Sequence, residues 1–159
     1  MIKIEAAIEA LAENQVEFVI IGGIAFNAYS SGYVTSDLDF AYLRTPENLK
    51  KIVNALSPFN PRPRDFPAGL PFVFDEITLL NGTNFTFETT IGDIDLLGEV
   101  AGIGDYSEVE KEFVIMQLFD YDIKILSIDG LIKSKRAAGR PKDLLVLPEL
   151  EALKELLES

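Results

Sequence analysis

Asp37 and Asp39, in the stretch VTSDLDF (residues 34 to 40), are separated by a single apolar residue at the start of an apolar run. Along an extended strand side chains alternate between faces, so these two carboxylates point one way while Leu38 and Phe40 point the other. Two like charges on one face repel, and the arrangement becomes favourable only if something positive sits between them. A bare D-x-D is also the pattern of a solvated strand edge in an acidic protein, so the surroundings must decide between the two.

Other residues with chemical potential are few. Gly22 and Gly23 follow an apolar strand and open a helix, a local geometry in which bare backbone N–H groups can approach a phosphate. Downstream, GDIDLLGEV (92 to 100) presents Asp93 and Asp95 on one face of a second strand. Asp95 is flanked by Ile94 and Leu96, whose burial would fix its carboxylate, whereas Asp93 follows Gly92 near an expected bend; Asp95 is therefore preferred as the working acid. Histidine and cysteine are absent, which removes the commonest general base, thiolate nucleophiles, disulfides and cysteine-zinc sites. Any chemistry must run on carboxylates, hydroxyls, lysine, arginine and backbone.

The charge is unevenly divided. The chain of 159 residues carries 26 acids against 14 bases, a net charge of −12, which argues against a broad nucleic-acid surface. Yet KSKRAAGRPK (133 to 142) holds Lys133, Lys135, Arg136, Arg140 and Lys142, five of those 14 bases and no acid. Such a segment either balances nearby acids such as Asp143 and Glu149 as one helix face or serves an anionic ligand. Arg62 and Arg64, in a proline-rich stretch, are weaker candidates for the same task.

The elements that must position these residues alternate. Ile4, Ala7, Ile8 and Leu11 are spaced as one face of a helix over 2–13, and VEFVII (16 to 21) is a short apolar strand. A short helix is expected from Gly23 through IAFNAYSS, then the strand bearing Asp37 and Asp39, running to about Leu43. Thr45 and Pro46 start a helix that buries Leu49, Ile52, Val53 and Leu56. SPFNPRPRDFPAGLP (57 to 71) has five prolines and no periodicity, and reads as a loop or lid. NFTFETT and IGDIDLLGEV form a hairpin with Gly92 at the bend, and EFVIMQLFDYDIKIL forms two strands turning near Asp120 to Asp122. Ser127 caps a helix from Ile128 to about Ala138, Gly139 ends it, and a last helix runs from about Pro148 to Glu158. The chain thus reads as a single α/β (α+β) domain over 1–159 with a helical C-terminal end.

In their order these pieces resemble the DNA polymerase β-type nucleotidyltransferase superfamily: an apolar strand, G-G or G-S, a short helix, D-x-D on the next strand, and a third acid on a later strand. VIIGGIAFNAYSSGYVTSDLDF matches that pattern with its spacing, GDIDLLGEV supplies the third acid, and KSKRAAGRPKDLL resembles a later segment of bacterial relatives that include abortive-infection toxins, so that a toxin–antitoxin context is implied. Gly23 stands where many members have serine, and Val146 where a second acid would follow KDLL. The resemblance implies a mixed sheet flanked by helices and transfer of a nucleoside monophosphate from a nucleoside triphosphate to a hydroxyl acceptor: tRNA, a protein or a small molecule. It implies two magnesium ions, with manganese as the alternative, about 4 Å apart. Asp37 and Asp39 would ligate both, Asp95 would hold one and accept the hydroxyl proton, and Gly22, Gly23, Lys135, Arg140 and Lys142 would bind the nucleotide.

Rival readings explain less. A haloacid-dehalogenase-type phosphatase has its apolar strand before D-x-D, whereas YVTS precedes Asp37 here; a receiver domain requires a regular parallel alternation. Neither uses Gly22-Gly23. A catalytically silent binding module of the same fold is the alternative from another class. The acidic N-terminal helix is unlike a secretory signal and no apolar run reaches membrane-spanning length, so a cytoplasmic protein without membrane contact is expected.

Overall fold

The computed structural model describes residues 1–30 and 36–158. In chain order the elements are α1 (Ile4–Glu13), β1 (Phe18–Ile21), α2 (Gly22–Tyr29), β2 (Asp37–Tyr42), α3 (Pro46–Leu56), β3 (Arg62–Pro63), α4 (Glu76–Leu80), β4 (Asn84–Thr89), β5 (Gly92–Leu97), β6 (Glu99–Val100), β7 (Gly104–Asp105), α5 (Tyr106–Val109), β8 (Phe113–Leu118), β9 (Tyr121–Leu126), α6 (Ile128–Ala138) and α7 (Pro141–Glu158). Seven strands form one mixed sheet in the order β3-β4-β5-β2-β1-β9-β8, and β6 with β7 makes a separate ribbon. Within the large sheet β2 runs parallel to β5 and β1 parallel to β9, while the other neighbours are antiparallel. None of the described helices is long and apolar enough to cross a membrane.

The centre of the sheet is apolar because its strands are covered. All four residues of β1 are buried, as a strand packed on both faces requires. On β2, Leu38 and Phe40 are fully buried while Asp37 and Asp39 keep partial access on the other face. Ala7, Ile8 and Leu11 of α1 and Leu49, Ile52 and Leu56 of α3 join the same core. The α3 start follows its sequence signature: Pro46 occupies the first turn, and Thr45 Oγ1 accepts the Asn48 N–H at 3.2 Å.

Asn48 ties this helix to the strands that carry the acids. It is 2% exposed; its Oδ1 accepts the Glu17 N–H at 2.7 Å, and its Nδ2 donates to Glu17 O at 3.1 Å and Leu43 O at 2.7 Å. One side chain therefore clamps the entry of β1 to the exit of β2. Both ends of α6 obey local rules as well: Ser127 Oγ accepts the Gly130 N–H at 3.0 Å, and Gly139 closes the helix at φ 64°.

The structure corrects two expectations. The proline-rich stretch is more than a loop, because Arg62 and Pro63 form an edge strand on β4, a position that tolerates proline since one side needs no ladder N–H. The last helix begins at Pro141 and runs through Pro148, whereas it was expected to begin near Pro148. Pro141 suits a first turn, Asp143 accepts the Arg140 N–H at 3.2 Å, and fully buried Leu150 anchors the portion beyond Pro148. Residues 33–35 of the YVTS run, and Ser31 of the expected IAFNAYSS helix, lie outside the described residues. The short elements α4, α5, β6 and β7 carry too few residues to show a period.

Replacing Asn48 with Leu should leave the Leu43 carbonyl and the Glu17 N–H without their partner, while Glu17 O keeps the Leu43 N–H at 3.3 Å, and destabilise the protein by about 2–4 kcal/mol. Asn54→Leu, on the exposed side of the same helix, should stay within about 0.5 kcal/mol. Urea denaturation of the two variants beside the wild type measures both.

Candidate functional site

A single row across the sheet builds the site. Ile21 pairs with Asp39, Asp39 with Asp95, and Asp95 with Thr86, while Asp37 sits opposite Asp93 one step along the same strands. Because β2 and β5 run parallel in this register, the period-two face of each strand places its acids beside those of the other. Asp37, Asp39 and Asp95 each offer a carboxylate oxygen within 4.8 Å of the other two.

Gly22 makes room for this. It has φ +70°, a region where side chains are strained, and a Cβ built there would lie 2.3 Å from Asp39 Oδ2. The first residue of α2 must therefore be glycine for Asp39 to lie against the helix start. Ile21, at the cap position of α2, has no side-chain acceptor to offer the N–H groups at that end.

The acids and the basic segment face one cleft of about 370 Å³, lined among others by Gly22, Gly23, Ser36, Asp37, Asp39, Asp95, Lys135, Arg140, Lys142 and Asp143. The period of α6 and the corner into α7 sort the five bases. Lys133 pairs with Glu112 and Arg136 Nη2 with Glu151 at 2.7 Å, both away from the cleft, while Lys135, Arg140 and Lys142 line it. Asp143 is fully buried and holds two of the three: Arg140 donates to it from Nε at 2.6 Å and Nη2 at 3.1 Å, and Lys135 Nζ lies 3.4 Å away. Burial opposes the charge of Asp143, but Arg140 and Lys135 hold its carboxyl below the usual range. Sequence reasoning took Asp143 only as a local charge partner; its burial follows from the α6–α7 corner, which no local pattern announces.

Electrostatics distinguish Asp39. Burial, then the neighbouring charge of Asp95 and the proton shared with it, then Asp37, push its carboxyl up to about 7, and Lys135 only partly counteracts them. Asp39 Oδ1 is buried without a hydrogen-bond partner among the described residues. Asp95 is also raised by burial, against the pull of Arg64. Arg64 reaches it from the proline-rich segment, with Nη2 2.7 Å from Asp95 Oδ1 and Nε 3.4 Å from Asp93 Oδ2. Asp93 thus shares the face of Asp95 and meets an arginine there. Arg64 follows the edge strand Arg62–Pro63 by one residue, and sequence reasoning offered it only as a weaker candidate for an anionic ligand.

These residues fit divalent cations. The ligand set is all oxygen, as magnesium and manganese prefer, and an unpartnered carboxylate oxygen in a crowded acidic group is what a cation would satisfy.

No protein-family model matches the chain, and no curated protein matches it. Solved structures do. One is a candidate nucleotidyltransferase from Thermotoga maritima, with a TM-score of 0.56 and 15% identity over 99% of this chain and 96% of that one. Another is an antigenic nucleotidyltransferase-like protein from Paracoccidioides brasiliensis, with a TM-score of 0.54 and 15% identity over 97% of this chain and 75% of that one. At this identity the likeness is one of fold: the chain has a nucleotidyltransferase-like fold, a mixed sheet flanked by helices.

The raised carboxyl of Asp39 gives a pH signature in metal-free buffer. The folded state keeps a proton that the unfolded chain releases near 3.8, so this group's contribution to stability falls as pH rises from about 4 to about 7 and is level above. Asp39→Asn should therefore gain on the wild type across that window and exceed it at pH 8 by on the order of 2 kcal/mol, read from urea denaturation in EDTA at pH 5 and pH 8.

Proposed function

We propose that this protein is a metal-dependent nucleotidyltransferase, moving a nucleoside monophosphate from a nucleoside triphosphate to a hydroxyl acceptor. The observation that carries the reading is the meeting of Asp37, Asp39 and Asp95, from two parallel strands, in a cleft whose other wall is Gly22, Gly23 and a cationic helix corner. Three crowded carboxylates with an orphan oxygen make a poor resting surface and a good cation site.

Asp37, Asp39 and Asp95 would hold divalent cations, magnesium or manganese, two in the resemblance; bound there, they would neutralise phosphate charge and acidify the attacking hydroxyl. The chain's own residues complete the chemistry. The amino end of α2, with Gly22 and Gly23, offers N–H groups to phosphate oxygens. Lys135, Arg140 and Lys142 face the same cleft and would take up the triphosphate charge, Arg140 through the guanidinium N–H groups that Asp143 does not engage. Asp95 would accept the proton of the acceptor hydroxyl, the role that the resemblance implies for it. The resemblance of the basic segment to abortive-infection toxins extends the reading to growth arrest on induced expression.

A labelled-nucleotide assay tests this directly. Incubation with each labelled nucleoside triphosphate and magnesium or manganese, with tRNA, cell extract or neither, should give pyrophosphate release and a labelled product, and Asp37→Asn should abolish both. Manganese with the preferred triphosphate should also raise the melting temperature by several degrees, since a ligand at a hundredfold excess over its Kd adds about 2.7 kcal/mol. Asp37→Asn and Asp39→Asn should lose this rise while melting no lower than wild type without metal. Binding without transfer would favour the catalytically silent module; neither binding nor transfer would reduce the acids to surface charge.

A further inference from the structure

Arg64 enters the acidic row from outside the strands that make it. β3 pairs Arg62 with Glu88 and Pro63 with Phe87, and one residue on the Arg64 N–H donates to Thr86 O at 2.8 Å. Thr86 is the partner of Asp95, which is the partner of Asp39, so Arg64 extends the same row by one strand. Its backbone lies two strand spacings of about 4.8 Å from Asp95, a span that the arginine stem crosses over Thr86. The side chain is 29% exposed, and its guanidinium lies 2.7 Å from Asp95 Oδ1 and 3.4 Å from Asp93 Oδ2.

The segment that delivers it is fastened by other means. Phe72 and Phe74 pack on Phe87 with ring centroids 6.1 and 5.4 Å apart, and Phe66 packs on Phe72 at 5.9 Å. Arg62 stays within the segment, donating to Leu70 O at 3.0 Å and lying over the Phe66 ring at 5.3 Å. Arg64 is thus not needed to hold the segment down, and its charge is directed at the acids.

We propose that Arg64 is a resident counter-cation of the acidic site that makes it prefer a cation arriving with a triphosphate over a free cation; this rests on the nucleotidyltransferase reading above. The guanidinium commits Asp95 Oδ1 and leaves that carboxylate one oxygen for a ligand. Its charge repels a bare dication held by Asp37, Asp39 and Asp95, yet attracts the surplus negative charge of a metal–triphosphate complex. Removing it must therefore move the two affinities in opposite directions. A purely structural role would move them together or not at all.

The probes are Mn²⁺ alone and inorganic tripolyphosphate added to Mn²⁺-loaded protein, which avoids any choice of base, measured by calorimetry at pH 8 and fixed ionic strength. Arg64→Gln should lower the Kd for Mn²⁺ by about three- to tenfold and raise that for tripolyphosphate by at least about threefold. Arg62→Gln should change neither. Arg64→Met, which keeps the apolar stem, serves if Arg64→Gln lacks a native melt. Both affinities unchanged, or both weakened, would overturn the inference. If Asp39→Asn abolishes Mn²⁺ binding while Arg64→Gln behaves as wild type, only the role of Arg64 falls. If the wild type binds no Mn²⁺, both readings fall together.

Discussion

Like-charge crowding on one row of the sheet is the constraint to which the rest of the structure responds. Asp39 and Asp95 are direct neighbours on parallel strands, with Asp37 and Asp93 one step away, so four carboxylates share one face. Nothing in the hydrophobic core requires acids there; Leu38, Phe40, Ile94 and Leu96 secure both strands from the opposite face. The core supplies the free energy that holds the acids together against their repulsion.

The neighbours of the row offset that repulsion. Gly22, without a side chain, lets Asp39 lie against the start of α2. Arg64 answers Asp95 and Asp93 from one edge. Lys135, 7% exposed, adds its charge from the opposite wall, where buried Asp143 also engages it. Each partial compensation leaves something over, and the remainder is concentrated on Asp39, whose carboxyl is raised and whose Oδ1 lacks a partner among the described residues. Stability has been given up where an external cation would recover it, as strained functional sites commonly show.

The corner between α6 and α7 illustrates how one buried charge can serve two ends. Asp143 is fully buried and accepts from Arg140 and Lys135, so a carboxylate inside the protein orients two cations at the cleft. The remaining bases of the segment, Lys133 and Arg136, meet Glu112 and Glu151 and balance charge outside it. A run that looks uniform in composition is divided by the period of α6, which separates Lys135 from Lys133 and Arg136, and by the corner into α7, which brings Arg140 and Lys142 to the cleft.

Much of this is local and therefore legible in the sequence. The period of two fixes that Asp37 shares a face with Asp39 and Asp93 with Asp95; the caps at Thr45 and Ser127 and the stop at Gly139 follow from short-range hydrogen bonding and backbone freedom. The order of elements and the mixed α/β class follow from the same periodicities. Local pattern is silent on register between distant strands, because pairing is decided by how whole faces bury together. Only the tertiary structure could set Asp39 opposite Asp95 and not opposite a neighbour two residues away. It alone turned Pro63 into an edge-strand residue, carried α7 through Pro148, and brought Arg64 across β4 to Asp95. Those outcomes depend on contacts between residues about thirty positions apart or on packing that outweighs a local propensity, as with Arg64 and Asp95, 31 residues apart in the chain.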